Sequence, residues 1–141
     1  MTERVEVWSD IHCPWALIAV HRLRRARERL SADVVFVPRA CGAHDALDLV
    51  QEYRTGSDTA AVMRAWRTGN VRADVVRDFE ESQKVTICGS PQIVWPDGTS
   101  VHNPGITDHY WRGGLPRINS VDPGEPERLL LTKIGGGHRP A

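Results

Sequence analysis

Hydrophobic positions near the start of the chain change period twice, from strand to helix and back to strand. Val5 to Trp8 is a short apolar run, and from Ala16 to Leu30 apolar residues recur at helical spacing with arginines between them. Val34 to Val37 is a continuous β-branched and aromatic run, typical of a strand buried on both faces. This order predicts a βαβ unit, in which the two strands are parallel neighbours.

The middle of the chain has a polar, helix-prone composition. Residues 44–54 and 58–67 are predicted as two short helices, because turn- and cap-forming residues separate them. Val71 to Lys84 is predicted as a third helix, with a few apolar residues for the core. The middle therefore differs from the βαβ unit in lacking any strand signal.

The last third of the chain alternates turns with short apolar runs. Pro-Asp-Gly at 96–98 lies between two such runs and predicts a β-hairpin. Residues 103–120 are rich in glycine and proline, and we expect them to be irregular. A final helix is predicted to start near Pro123 or Pro126 and to end at Ile134.

Composition excludes several classes of function. The 141 residues suit one domain, and 18 basic against 18 acidic residues give no net charge, which argues against nucleic acid or an anionic membrane as a partner. No apolar run approaches the roughly 20 residues of a membrane span, and no secretory signal pattern is visible. Three cysteines, an odd number, do not make a disulfide framework, so we expect a reducing, cytoplasmic location.

The candidate chemistry lies at the junction between the first strand and the first helix. Cys13 there is followed by Pro14, Trp15 and Ala16. The positive end of a helix dipole favours a thiolate, and proline at the first helical position costs no hydrogen bond. In a Cys-x-x-Cys motif the second cysteine would occupy position 16. We therefore expect a nucleophilic thiol without its local resolving partner.

The chain resembles the DsbA-like thioredoxin-fold family, in particular the cytoplasmic FrnE-type and 2-hydroxychromene-2-carboxylate isomerase branch. The resemblance rests on ordered motifs: WSDIHCPW at 8–15, GSPQI at 89–93, and PDGT at 96–99 with HNPG at 102–105. It implies an α/β, thioredoxin-like fold in a single domain, 1–141. It also implies a longer helical insertion than this chain has, so residues 42–84 are interpreted as a shortened one.

The resemblance further implies a function and a set of site residues. Cys13 would be the catalytic nucleophile, Pro14 and Trp15 would line the substrate groove, and Ser90 with a cis Pro91 would orient the substrate. Because Trp15 stands in the first helical turn of the motif, we expect it to form an exposed rim. The alternative is that it packs against the shortened helical segment. With Ala16 in place of a cysteine, a thiol-disulfide oxidoreductase would work in monothiol mode. A small thiol, such as glutathione, would serve as co-substrate, with no tightly bound cofactor. The arginine-rich composition is typical of a GC-rich bacterial genome, which adds mycothiol as a candidate for this thiol.

Two alternatives stay open. The first is a thiol-dependent isomerase or transferase of the chromene isomerase type, which needs no second cysteine. The second is a catalytically inactive binding module, in which the shortened insertion leaves an apolar patch that a second copy covers in a homodimer.

Other residues could assist Cys13. His12 precedes the thiol and could stabilise a thiolate, although a solvent-facing loop residue is the simpler interpretation. Cys88 is three residues before Pro91 and could act as a displaced resolving cysteine, although small buried cysteines often only pack. Cys41 and His44 form Cys-x-x-His, but nothing in the spacing brings four ligands together, so no metal is expected.

Overall fold

The computed structural model describes residues 2–10, 12–42, 64, 67–69 and 71–135. The predicted helix at 44–54 lies outside these residues, as does most of the one at 58–67. In chain order the elements are β1 (Glu3–Ser9), α1 (Pro14–Leu30), β2 (Val34–Ala40), α2 (Val71–Ser82), β3 (Gln92–Val94), β4 (Ser100–His102), β5 (Ile106–Arg112), β6 (Leu115–Val121) and α3 (Glu125–Gly135).

A four-stranded sheet in the order β2-β1-β3-β4 forms the centre of the described fold. β1 and β2 are parallel, and their register runs from Glu3 opposite Val34 to Ser9 opposite Ala40. β3 pairs antiparallel with β1 and with β4, so residues 96–98 form the predicted hairpin turn. The predicted βαβ unit and hairpin are therefore confirmed.

Helices α1 and α3 contribute to the core on this sheet. The apolar stripe of α1 is buried at Leu23 and Ala26, where it packs with Val5, Ile93 and Leu130. α1 ends at Ser31, whose left-handed conformation (φ 49°) lets its N–H bond the carbonyl oxygen of Glu28. Among the described helices, none is long and apolar enough to cross a membrane.

Strand β2 is less buried than its sequence predicts. Val34 is buried, but Val35 is 42% exposed. β2 is an edge strand of the described sheet and pairs only with β1 there. The expectation of burial on both faces is therefore wrong, because β-branched residues favour strands at edges as well as at centres.

Residues 103–120, expected to be irregular, form a second sheet instead. β5 and β6 pair antiparallel from Ile106–Val121 to Arg112–Leu115, with an irregularity near Asp108. The turn between them is Gly113-Gly114, with φ values of 59° and 73°. Two consecutive positive φ angles are what the commonest two-residue hairpin turn requires, so glycine here starts a hairpin rather than preventing one.

Candidate functional site

Cys13 immediately precedes helix α1. Its N–H donates to the carbonyl oxygen of Asp10 (3.0 Å), which closes the turn between β1 and the helix. Cys13 has extended backbone angles as the N-cap residue, and Pro14 opens the 17-residue helix, whose first turn carries no acidic side chain. The half-exposed thiol therefore lies at an N-terminus whose positive end no helix carboxylate neutralises.

The loop before β3 contacts this turn through Ser90. The Ser90–Pro91 peptide bond is cis, the isomer that the resemblance implies. The Cys13 thiol donates to the carbonyl oxygen of Ser90 (3.1 Å), and the Ser90 hydroxyl accepts from the N–H of Asp10 (2.9 Å). Ser90 thus connects the loop before β3 to the turn that positions the Cys13 thiol.

Cys41 belongs to the same site, although the sequence analysis assigned it no role there. It follows β2 directly, and its N–H donates to the carbonyl oxygen of Ser9 (3.1 Å). Burial raises the pKa of the Cys41 thiol, and the negative charges of Asp10 and Cys13 raise it further, while hydrogen bonds from its own backbone and from the Ser90 side chain oppose the rise. Cys41 is therefore close enough to Cys13 to interact with its charge.

Gly42 continues this contact between the two strand ends. A Cβ atom on Gly42 would overlap Oδ2 of Asp10, so the carboxylate would have to move to admit any side chain. Glycine at this position therefore allows the chain after β2 to approach the loop after β1.

Trp15 does not form the exposed rim that the sequence analysis expected. It is only 5% exposed. Its ring packs against His109 (centroids 4.7 Å apart) and Trp111 (6.2 Å), both on β5. The expectation of a solvent-facing Trp15 is wrong, because hairpin β5–β6 covers the first turn of α1.

Two histidines lie near this packing, His102 at the end of β4 and His109 on β5. Burial lowers the pKa of His102, and the charge of His109 lowers it further. A Cβ atom on Gly89 would lie 2.8 Å from Nε2 of His102. Asn103 Nδ2 approaches Nδ1 of His109 (3.4 Å), so the residue that follows β4 contacts, through its polar side chain, the same histidine on which Trp15 packs.

The remaining candidates differ in position. His12 is exposed, and its N–H donates to Oδ1 of Asp10 (2.9 Å). Cys88 is also exposed, and its N–H donates to the side chain of Gln92 (2.6 Å). His44 lies outside the described residues. Within the described ranges, no three His, Cys, Asp or Glu side chains are grouped so that they could hold a metal ion.

Comparison with known proteins gives a structural relative. No family model matches the chain, and no curated protein matches it either. A crystal structure described as a probable DsbA oxidoreductase from Streptomyces coelicolor aligns with a TM-score of 0.54, at 16% sequence identity, over 99% of this chain and 92% of that one. The chain therefore has an α/β, DsbA-like thioredoxin fold.

Proposed function

We propose that the protein is a thiol-disulfide oxidoreductase in which Cys13 is the nucleophile and a small thiol, glutathione or mycothiol, is the co-substrate. One observation carries this proposal. The Cys13 thiol lies at the N-terminus of α1 and within hydrogen-bonding distance of the Ser90 carbonyl oxygen. The fold is that of a protein described as a probable oxidoreductase, which supports the same class of chemistry.

The reaction begins with attack of the Cys13 thiolate on a disulfide R–S–S–R′. A bond forms between Cys13 Sγ and one sulfur, the other sulfur leaves as R′S⁻ and takes up a proton, and a mixed disulfide remains on Cys13. A small thiol then attacks this mixed disulfide, releasing Cys13 and forming a new disulfide. The protein ends unchanged, and one disulfide has exchanged its partner.

The substrate approaches from the Ser90 side of the thiol. Trp15 does not line this approach, since hairpin β5–β6 packs over its ring. Ser90 and Pro91 would orient the substrate, with the Ser90 backbone beside the reacting sulfur. Trp15 therefore supports the site from behind instead of lining it.

The first test compares the three thiols of the full-length protein at pH about 6. Trypsin separates them, because Cys13, Cys41 and Cys88 fall in the peptides 5–22, 40–54 and 85–112. With limiting iodoacetamide we expect Cys13 to be labelled roughly tenfold faster than the other two, since among the described helices it is Cys13 that caps an N-terminus. Equal labelling, or slowest labelling of Cys13, would contradict the nucleophile assignment.

The second test measures turnover with oxidised glutathione or oxidised mycothiol. We expect a mixed disulfide on Cys13 that excess small thiol removes, and no such adduct on peptide 5–22 in Cys13→Ser. Binding of the small thiol without disulfide exchange would instead support the isomerase or transferase. An inert Cys13 that binds neither thiol would support the inactive binding module.

A further inference from the structure

Cys41 is placed next to the nucleophile by the backbone. In the parallel pair, Ser9 is opposite Ala40, so the residue after β2 lies beside the start of the loop that leads from β1 to Cys13. The hydrogen bond from the Cys41 N–H to the Ser9 carbonyl oxygen extends this pairing by one residue. Gly42 then packs directly against Asp10. The end of β2 is therefore held against the Cys13 turn.

Ser90 brings the two thiols to one point. Its carbonyl oxygen accepts a hydrogen bond from Cys13 (3.1 Å), and its side chain lies near enough to the Cys41 thiol to lower the pKa of that thiol. Both sulfurs therefore lie around a single residue, one at its backbone and one at its side chain. Ala16, on the opposite side of Cys13, carries no sulfur.

We propose that Cys41 is the resolving cysteine of this protein and forms a disulfide with Cys13. This inference rests on the proposed function and changes its second step. The Cys41 thiolate attacks Cys13 Sγ of the mixed disulfide, the Cys13–S–R bond breaks, and RS⁻ leaves and takes up the proton that Cys41 lost. The substrate disulfide is reduced by two electrons, and the cysteine pair is oxidised by two.

A low-molecular-weight thiol closes the cycle. Two molecules of the thiol reduce the Cys13–Cys41 disulfide in succession and leave as their own disulfide. The protein then couples reduction of a substrate to oxidation of two small thiols, through a dithiol and not a monothiol site.

The surroundings of Cys41 change when Cys13 is modified. Burial first, and then negative charge on Asp10 and on Cys13, raise the pKa of the Cys41 thiol. A sulfur held in a mixed disulfide carries no charge, so Cys13 no longer opposes ionisation of Cys41 at the step in which Cys41 attacks.

The test treats the reduced full-length protein at low micromolar concentration with one equivalent of oxidised glutathione and follows intact mass and tryptic peptides. In wild type we expect the glutathione adduct to be transient, followed by loss of two hydrogens and a cross-link between peptides 5–22 and 40–54. In Cys41→Ser the adduct on Cys13 should persist about tenfold longer or more, because intramolecular attack acts at a high effective concentration.

Cys88→Ser is the matched control, since it removes an exposed thiol and should behave as wild type. An adduct lifetime unchanged by Cys41→Ser, or a cross-link from Cys13 to peptide 85–112, would overturn the inference while leaving Cys13 as the nucleophile. Absence of any adduct on peptide 5–22 in the Cys41→Ser protein would instead overturn the proposed function itself. The two failures are therefore distinguishable.

Discussion

The two sides of Cys13 differ in what they contain. On the helix side Trp15 and Ala16 are buried, 5% and 6% exposed, and the Trp15 ring packs under hairpin β5–β6. On the strand side Ser90 and Cys41 are half-buried and polar. The helix side therefore supplies packing, whereas the strand side supplies hydrogen bonds and a second sulfur.

The largest expected effect comes from removing the packing on the helix side. Trp15→Ala should lower the free energy of unfolding by about 3 kcal/mol, the cost of deleting a buried large aromatic side chain. Chemical denaturation followed by circular dichroism measures it. Trp111→Ala is the control, because Trp111 is 57% exposed and should cost clearly less. If both variants lose the same small amount of unfolding free energy, Trp15 is not buried and the exposed-rim interpretation holds.

The next effect concerns the support of the strand side by α2. Asp78 accepts from the N–H of Ala40 (3.2 Å) and pairs with Nε of Arg39 (3.0 Å), next to Cys41. Asp78→Ala should cost about 2 kcal/mol of unfolding free energy, because it leaves a half-buried cation and an N–H without this carboxylate.

The same variant should make Cys41 more accessible, so iodoacetamide should label peptide 40–54 faster than in wild type. Asp74→Ala is the control on the same helix. Asp74 pairs with Arg77 at an exposed position, and such pairs contribute only about 0–1 kcal/mol. If Asp74→Ala and Asp78→Ala behave alike, α2 does not hold the end of β2.

A third variant introduces a second cysteine on the helix side of Cys13. Ala16→Cys places a thiol one helical turn from Cys13, a geometry in which two sulfurs can meet. We expect mild oxidation to join Cys13 to this introduced thiol in a disulfide within peptide 5–22, which competes with the cross-link to peptide 40–54. Because Ala16 is buried, the reduced variant should lose about 1 kcal/mol of stability through overpacking.

Ala19→Cys controls for the added sulfur, since residue 19 is also buried but lies too far along the helix to bridge to Cys13. Combined with Cys41→Ser, Ala16→Cys should restore rapid loss of the glutathione adduct. Failure to form any disulfide within peptide 5–22 would mean that the first turn of α1 cannot host a dithiol.

The smallest effect is the titration of the histidines behind Trp15. Burial and then the charge of His109 hold the pKa of His102 below its ordinary value of 6.5. His109→Gln should therefore raise the pKa of His102 toward 6.5, whereas His21→Gln, at an exposed helix position, should not. Nuclear magnetic resonance of the imidazole C–H signals measures both.

The lowered pKa of His102 also makes the stability of the protein depend on pH. A lowered pKa means that the native state favours neutral His102, so its contribution to stability is present above pH 6.5 and is lost as the pH falls through the native pKa. An unchanged His102 titration in His109→Gln would show that burial alone causes the shift.

Local patterns in the sequence are sufficient to predict the βαβ unit. Its periodicity changes from strand to helix and back, and Pro14 marks where the helix begins. The hairpin β5–β6 does not follow from composition, because a stretch rich in glycine and proline predicts irregular structure. Gly113-Gly114 is in fact a hairpin signal, since both residues need positive φ.

The site was predictable only where its motif is contiguous. Cys13 and Pro14 stand together in sequence, and Pro91 was found through a resemblance. Trp15 was misjudged because its cover comes from residues about a hundred positions later, which no local pattern connects to it. The position of Cys41 near Cys13 does follow from the predicted βαβ unit, since parallel strands bring their carboxyl ends to one edge of a sheet.

The parallel pairing of β1 and β2 also means that the identity of residue 41 should influence the chemistry of residue 13. Backbone hydrogen bonds, and not the cysteine side chain, bring residue 41 to the nucleophile. Any side chain encoded there inherits the same proximity. Serine would leave a monothiol, aspartate would disfavour the thiolate by repulsion, and lysine would favour it by attraction. If Cys13 is the proposed nucleophile, a single substitution at position 41 would therefore change its reactivity while the backbone pairing of β1 and β2 stays the same.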